Sequence, residues 1–356
     1  MFNDLFLYFF VFIVTSIIFD FACKKKKSNK YLFNILYFIA LLIVTLFIGL
    51  RYNVGTDFDN YVSLYGSIIR QDFNSILNSN IEIGHYLICK TTELIFGNAQ
   101  GMIILYALLT NFSVMLAIEK TNKKYYGISY LIFALNTIPF TLNGMRQGLA
   151  LSILFIAFNF ILNKKTFGFI LSCMIASLFH TSALVFLPFG LIYIFMGDKY
   201  KNKYNIFLCV FIITIIFSGQ LFKLPFLMKY TNYLTGDSTA GYLKILIRLP
   251  ILIILLLASL QKDKNINFMS TLVFIGFAFM LMGYKANYLD RLSIYFESLI
   301  IFIVPHLITN FKTNKNKLLI VFILMYYYFS LFILYYYING YHDIFPYNFI
   351  RIGAFL

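Results

Sequence analysis

Charged side chains are scarce in this sequence: Asp, Glu, Lys and Arg make up only 12% of its 356 residues, whereas 61% are hydrophobic. Soluble domains carry about twice that share of charge, so the composition excludes a water-soluble globule, a nucleic-acid-binding protein and a disordered chain. Cysteine is also rare. The spacing of the four cysteines fits neither a disulfide framework nor a zinc site: Cys23, Cys89, Cys173 and Cys209.

Long apolar runs make up most of the sequence. One bilayer crossing needs about 20 apolar residues, and twelve runs approach that length. They predict an all-α integral membrane protein with about 12 transmembrane helices in a single polytopic transmembrane domain over residues 1–356. The runs lie at residues 5–22, 31–50, 100–118, 125–142, 148–163, 166–179, 182–197, 204–222, 244–260, 266–283, 292–311 and 318–338.

Lysines and arginines divide by side. Short lysine clusters alternate with lysine-poor loops, and the positive-inside rule places the clusters in the cytoplasm and both the N-terminus and the C-terminus outside. The clusters lie at residues 24–30, 120–124, 164–165, 199–203, 262–264 and 312–317. All six arginines then fall on the outer side: Arg51, Arg70, Arg146, Arg248, Arg291 and Arg351. Because lysine sets topology as well as arginine does, this split indicates an outward-facing anion site; the alternative is chance.

The segment 81–97 departs from the pattern because it contains Glu82, His85, Lys90 and Glu93. Crossing the bilayer would cost about 2.5 to 3.5 kcal/mol per central charge and would place every later lysine cluster outside. We therefore predict a re-entrant or interfacial helix that presents its apolar positions to lipid. Those positions are 83, 87, 88, 94 and 95.

The first outer loop, residues 51–61, reads RYNVGTDFDNY. One interpretation is functional: Arg51 at the membrane surface binds an anion while Asp57 and Asp59 orient a hydroxyl. The other is structural: Gly55 makes a turn, Asp57 caps a short helix, and Arg51 only extends its charge to the interface. The sequence leaves both open.

Residues 143–150 read NGMRQGLA, at the outer junction of two predicted helices. Arg146 and Gln147 lie at the start of a helix whose N-terminus points outward, where free N–H groups and the helix dipole favour an anion. Gly144 and Gly148 have the GxxxG spacing of packed helices. Packing alone accounts for the glycines but not for the arginine.

Residues 179–184 read FHTSAL, at another outer junction. Thr181 or Ser182 is the predicted N-cap of the following helix. His180 is then either an interfacial residue bonded to a backbone carbonyl, or a base or hydrogen-bond donor to a phosphate or a sugar hydroxyl.

Residues 284–291 read YKANYLDR and lead into a helix that contains Glu297. Less than two turns separate Arg291 from Glu297, which favours an ion pair over a catalytic carboxylate. Asp290, Arg291 and the outward Arg248 are candidate substrate-binding residues. Tyrosine runs at 326–328 and 335–337 supply an interfacial belt or stacking faces for sugars.

Four of these features act as a joint signature. They are the Gly-Thr-Asp-Phe-x-x-Tyr pattern ending at Tyr61, Glu82, the Met-Arg-Gln-Gly-Leu-Ala run from Met145, and the Phe-His-Thr-Ser-Ala run from Phe179. Together they resemble the EpsG family, Wzy-like bacterial polysaccharide polymerases, over residues 30 to about 310. The chain departs from the family's frequent Glu-Pro-Gly sequence, because it has Ile83 where the proline stands.

The resemblance implies a polysaccharide polymerase of the bacterial plasma membrane that joins undecaprenyl-pyrophosphate-linked repeat units at the outer face. It implies as partners undecaprenyl-pyrophosphate-linked oligosaccharides, the lipid bilayer and a chain-length regulator protein, with no nucleic acid and no cofactor. The alternatives are a flippase or transporter of the same lipids, and a membrane glycan ligase or O-acyltransferase. A transporter predicts charges near the bilayer midplane, where Glu297 is the clearest.

Such a glycosyl transfer needs relief of charge on the departing pyrophosphate and a base for the attacking hydroxyl. Arg146 is the candidate for the first role, and Asp57 or His180 for the second. Arginines and a helix N-terminus predict a metal-independent reaction, although Asp57-Phe58-Asp59 has the spacing of a divalent-metal site. The candidate substrate-binding residues are Arg51, Asp59, Tyr61, Glu82, Gln147, Arg248, Asp290 and Arg291.

Overall fold

The structure of the protein is a computed structural model that describes residues 2–196, 263–283 and 287–350, together with residues 248, 250–255 and 258. Throughout these residues the regular structure is helical, apart from an isolated antiparallel bridge between Arg51 and Phe349. The predicted all-α class is confirmed.

The helices are numbered through the described residues. The first eight are α1 (Phe2–Lys25), α2 (Lys30–Gly49), α3 (Phe58–Ile68), α4 (Phe73–Leu77), α5 (Ile83–Phe96), α6 (Ala99–Thr121), α7 (Tyr126–Asn136) and α8 (Ile138–Asn143). The others are α9 (Met145–Leu162), α10 (Thr166–Phe179), α11 (Phe186–Met196), α12 (Lys264–Gly283), α13 (Asn287–Glu297), α14 (Ile300–Asn310) and α15 (Asn314–Phe332).

Seven segments of the described chain are long and apolar enough to cross a membrane, and the chain is a membrane protein. They are α1, α2, α6, α9, Lys264–Leu281, Asp290–Asn310 and Asn314–Ile338. The total of about twelve stays a prediction, as do the sides of the termini. The predicted run 204–222 lies outside the described residues, as does most of 244–260.

Two predicted spans are broken. The run 125–142 is not one helix: α7 ends at Asn136, and α8 begins at Ile138 with Pro139 in its first turn. Proline has no backbone N–H to donate, so it starts a helix well and continues one badly. The run 292–311 is likewise interrupted after Glu297, and α14 begins at Ile300.

The lysine clusters at residues 24–30 and 120–124 lie at the same end of the helix bundle. Lys26 pairs with Glu119 at the end of α6, and Asp20 accepts the N–H of Gly127 at 3.0 Å. The other end of α1 carries Tyr8, whose hydroxyl donates to the carbonyl of Ile344 at 3.0 Å. About 25 Å of helix separates these two ends at 1.5 Å per residue.

The segment 81–97 forms α5, whose 14 residues extend about 21 Å. That length is shorter than the roughly 30 Å hydrocarbon core, as the predicted interfacial or re-entrant helix requires. Leu87, Leu94 and Ile95 are exposed, and Leu94 is 88% exposed. The prediction that Ile88 also faces lipid is wrong, because Ile88 is 5% exposed and packs in a core with α6.

A labelling experiment tests the predicted sides. In a chain whose native cysteines are replaced by serine, a single cysteine at position 124 or 315 is expected to react with maleimide only from the cytoplasmic side. A cysteine in place of the exposed Asp59 is the matched control and is expected to react from outside. Outward labelling at position 124 would show that α5 crosses the bilayer.

The last described segment, residues 339–350, folds back over the first loop; we call it the C-terminal strap. The N–H of Tyr52 donates to the carbonyl of Asn348 at 2.9 Å, and the N–H of Ile350 donates to the carbonyl of Leu50 at 2.8 Å. The Tyr347 hydroxyl donates to the carbonyl of Phe47. The strap therefore joins the chain's last described residues to its first loop.

Candidate functional site

Asn143, at the end of α8, fixes the first loop. Its Oδ1 accepts the Thr56 hydroxyl at 2.9 Å and the Asp57 N–H at 3.1 Å. Gly55 precedes them with φ +102°, a conformation that side chains rarely adopt. The Asn143 amide in turn donates to the carbonyl of His342 on the C-terminal strap at 3.1 Å. Three distant parts of the sequence thus meet at one amide.

Asp57 occupies the N-cap position of α3, as one interpretation predicted, but its side chain makes no capping hydrogen bond. Its carboxylate accepts the amide of Asn60 at 3.3 Å, and its side chain is half-buried. The Asp57 carboxylate can therefore accept further hydrogen bonds from another group. Asp59 is exposed on the outside of the same turn.

Gly84 allows α5 to approach the end of α10. A Cβ added at Gly84 would lie 2.7 Å from the carbonyl of Leu178 and 2.7 Å from the ring of Phe179, closer than side chains tolerate. This approach places Glu82, the N-cap residue of α5, beside His180, the residue that ends α10.

The Glu82 carboxylate joins two of the predicted catalytic side chains; we call Glu82, Arg146 and His180 the Glu82 cluster. Its Oε1 is 3.1 Å from His180 Nδ1, and its Oε2 accepts the Nη1–H of Arg146. Only 10% of the Glu82 side chain is exposed. Burial acts to raise the pKa of Glu82, but the His180 hydrogen bond and the Arg146 charge outweigh it and lower the pKa. Glu82 is therefore ionised at neutral pH.

Arg146 lies in the first turn of α9, as predicted, with Gly144 at the N-cap position. Its Nε–H has no hydrogen-bond partner, and 26% of its side chain is exposed. The Tyr61 side chain of α3 is close enough to interact electrostatically with the guanidinium. The packing interpretation of the glycines also holds, because a Cβ at Gly148 would lie 2.7 Å from Thr141 of α8.

Gln147 ties the cluster to α13. Its amide donates to the backbone carbonyl of Arg291 at 2.7 Å, and it faces the Tyr295 hydroxyl. Tyr295 also lies 2.9 Å from the Ser182 hydroxyl. The prediction that Thr181 or Ser182 caps the next helix is wrong: His180 holds the N-cap position, and a short 3₁₀ turn, Thr181–Val185, follows.

Arg51 lies behind the site. Its side chain is 1% exposed, and it donates to the carbonyl of Leu142 at 2.6 Å. Its Nε–H is buried without a partner. Because no part of this guanidinium reaches the surface, we assign it to holding the end of α8 in place rather than to substrate.

Arg248 and Glu297 form a separate ion pair, with Nε to Oε2 at 3.0 Å. The prediction paired Glu297 with Arg291, but the fold brings Arg248 to it from another helix. Asp290 is close enough to act electrostatically on Arg248. Oε1 of Glu297 is buried without a partner.

The sequence reading missed the inner layer of the site. His85, on the buried face of α5, lies 2.8 Å through Nδ1 from the hydroxyl of Tyr106. Burial, reinforced by the Arg146 charge, lowers the pKa of His85 to about 3, so its imidazole is neutral. The available signal was spacing: His85 follows Glu82 by three residues, which is one helical turn.

Among the described residues, no three His, Cys, Asp or Glu side chains come together in a way that suits a metal ion. Asp57 and Asp59 keep their sequence spacing without a third ligand there. That the reaction is metal-independent stays a prediction.

The fold and the cluster define a polytopic membrane protein with a carboxylate, a histidine and an arginine joined at one end of its helix bundle. A family model described as the EpsG family matches residues 34–349, and the chain belongs to this family. The family is associated with polysaccharide biosynthesis through Wzy-like polymerases. No curated protein and no solved structure matches the chain.

Proposed function

We propose that this protein polymerises polysaccharide repeat units at the outer face of the bacterial plasma membrane. It transfers a glycan from undecaprenyl pyrophosphate to a hydroxyl of a second lipid-linked repeat unit. One observation supports this most: a single carboxylate, Glu82, holds both a histidine and an arginine at the head of a helix. Family membership supports the same class of reaction.

His180 is the base in this proposal. Its Nδ1 faces the Glu82 carboxylate, so Nδ1 carries the proton and Nε2 keeps its lone pair. The same orientation by a carboxylate prepares histidine as a base in serine hydrolases. Nε2 takes the proton of the acceptor hydroxyl. The hydroxyl oxygen bonds to the anomeric carbon of the donor while the bond from that carbon to the pyrophosphate oxygen breaks.

Arg146 receives the leaving group. The departing pyrophosphate gains negative charge, and a partly exposed guanidinium in the first turn of a helix stabilises that charge without rearrangement. Glu82 holds the guanidinium through Nη1, and the exposed part of the side chain is left for phosphate oxygens. Tyr61 and Gln147 border the same space.

Asp57 is less suited to be the base. It is half-buried in the first loop and no histidine or arginine side chain hydrogen-bonds to it among the described residues. We assign it to orienting the acceptor.

A transporter remains the second candidate because the Arg248–Glu297 pair interrupts an apolar segment, Asp290–Asn310. The two charges neutralise each other, however, and offer no net charge to an anionic headgroup. A glycan ligase or O-acyltransferase would use the Glu82 cluster equally well, and only its product would differ.

Deletion of the gene in the native host separates these activities. We expect single repeat units at the cell surface and no long chains, with long chains restored by the wild-type gene, because export precedes polymerisation. Repeat units held on the cytoplasmic face would indicate a transporter. Long chains that stay on the lipid carrier would indicate a ligase, and unchanged chains lacking acyl groups an acyltransferase.

A further inference from the structure

The backbone of the C-terminal strap is strained at His342. His342 and Asp343 both have positive φ, 69° and 46°, which is uncommon for residues other than glycine. Their carbonyls are held by the first loop, since Thr56 N–H donates to His342 at 3.2 Å and Gly55 N–H to Asp343 at 3.0 Å. Such strain persists where surrounding contacts fix it, and it clusters at functional sites.

Two aromatic rings hold the His342 imidazole. The Tyr336 ring stacks on it at 6.0 Å between centroids and 25° between planes, and the Phe140 ring meets it edge-on at 6.2 Å and 76°. In the described part of the chain, neither ring nitrogen has a protein hydrogen-bond partner. The half-buried imidazole also leaves both nitrogens within reach of solvent. The ring is therefore positioned while its two polar atoms stay available.

The charges around His342 come from three elements. Asp57 faces it from the first loop, Arg291 from α13 and Asp343 from the strap itself. Burial lowers the pKa of His342 and the Arg291 charge adds to this, while the two carboxylates oppose it; the pKa stays below the ordinary value of 6.5. The imidazole is neutral at pH 7, with one donor and one acceptor nitrogen.

We infer that His342 is a substrate-binding residue of the acceptor subsite, where it and Asp57 hydrogen-bond the hydroxyls of the acceptor's terminal sugar. This inference rests on the proposed polymerase function. The two carboxylates beside His342 outnumber the single Arg291 charge, so they disfavour a pyrophosphate there, and they accept hydrogen bonds from neutral hydroxyls. Arg146 and the Glu82 cluster offer the opposite chemistry, so anion and sugar are bound at different places.

The test measures the two substrates separately. The donor is the lipid-linked repeat unit extracted from a strain that lacks this gene. The acceptor is the same oligosaccharide, released from lipid by mild acid and labelled fluorescently at its reducing end, which leaves the attacking hydroxyl free. The purified full-length protein in lipid nanodiscs is assayed for longer labelled chains while each substrate is varied.

Two variants separate hydrogen bonding from packing. His342→Phe keeps a stacking ring and loses both nitrogens, while His342→Gly accepts the positive φ and removes the ring. Both are expected to raise the acceptor KM tenfold or more and to leave kcat and the donor KM within about threefold. The matched control is His306→Phe, a half-buried histidine near Lys123 at the lysine-rich end.

A wild-type acceptor KM in His342→Phe would show that the ring only packs and would overturn the inference. A higher donor KM, or a lower kcat with an unchanged acceptor KM, would overturn it as well. The wild-type protein tests the proposed function on its own, with the lipid-linked repeat unit as both donor and acceptor: if it makes no longer chains from that substrate, the polymerase proposal fails before any variant is compared.

Discussion

Replacing Arg146 by lysine is expected to slow polymerisation 10- to 100-fold. Lysine keeps the positive charge but has no planar fork, so it cannot bond the Glu82 carboxylate along one edge and a pyrophosphate along another. A charge-assisted hydrogen bond contributes roughly 1.5 to 3 kcal/mol, and about 1.4 kcal/mol corresponds to a factor of ten when the bond acts only in the transition state. The measurement is the rate of chain elongation with purified protein.

Arg146→Ala is expected to be slower still, with an unchanged amount of protein in the membrane. The matched control is Arg70→Lys, because Arg70 is exposed beyond the end of α3 and should tolerate the change. Elongation within threefold of wild type in both Arg146 variants would remove this residue from the reaction and leave residues 144–148 as a helix-packing element.

His180→Gln is expected to lower kcat by about 10²- to 10⁴-fold, the usual contribution of a positioned general base. Glutamine retains a polar side chain beside Glu82 but has no basic nitrogen. Glu82→Gln is expected to lower kcat as well, because the imidazole loses the carboxylate that orients it and Arg146 loses its ion pair.

Asp57→Asn decides between the two candidate bases. If this variant loses the rate and His180→Gln keeps it, Asp57 is the base and the orientation of His180 by Glu82 serves binding alone. His306→Gln is the control for loss of a histidine as such, since His306 lies at the opposite end of the molecule. All four proteins are compared at equal amounts in the same lipid.

Much of the fold follows from the spacing of apolar residues alone. The run 100–118 became α6 and the run 148–163 became α9, each within a few residues, because a long apolar segment has no better way than a helix to satisfy its backbone. The interruptions were not predicted. Pro139 marks the first break and Glu297-Ser298 the second, but each lies inside a run whose overall hydrophobicity predicts one continuous span.

The members of the Glu82 cluster were predicted, but their connection was not. Glu82 is 64 residues from Arg146 and 98 from His180 in sequence. The sequence around each residue does not indicate which distant residue it contacts. Glu297 shows the opposite error: the nearest arginine in sequence looked like its partner, and the fold supplied Arg248. Ion pairs in a helix bundle are chosen by packing between helices, which a single sequence does not reveal.

The C-terminal strap was missed for the same reason. It has no hydrophobic periodicity, and its position is fixed by residues that lie hundreds of positions away in sequence. One of them is Tyr8, which is 336 residues from Ile344. His342 is one of four histidines in the chain and follows the last apolar run. A histidine in a short polar segment after the last predicted span is a signal that sequence analysis could use.

The strap also sets an order of events during synthesis. Helices enter the membrane as the ribosome makes them, so Asp57, Glu82 and Arg146 are inserted long before residues 339–350 exist. Until those residues emerge, the first loop lacks the bonds that Gly55 and Thr56 donate to them. A nascent chain is therefore anchored in the bilayer before residues 339–350 are made, and translation must pass residue 343 before the first loop gains these two bonds.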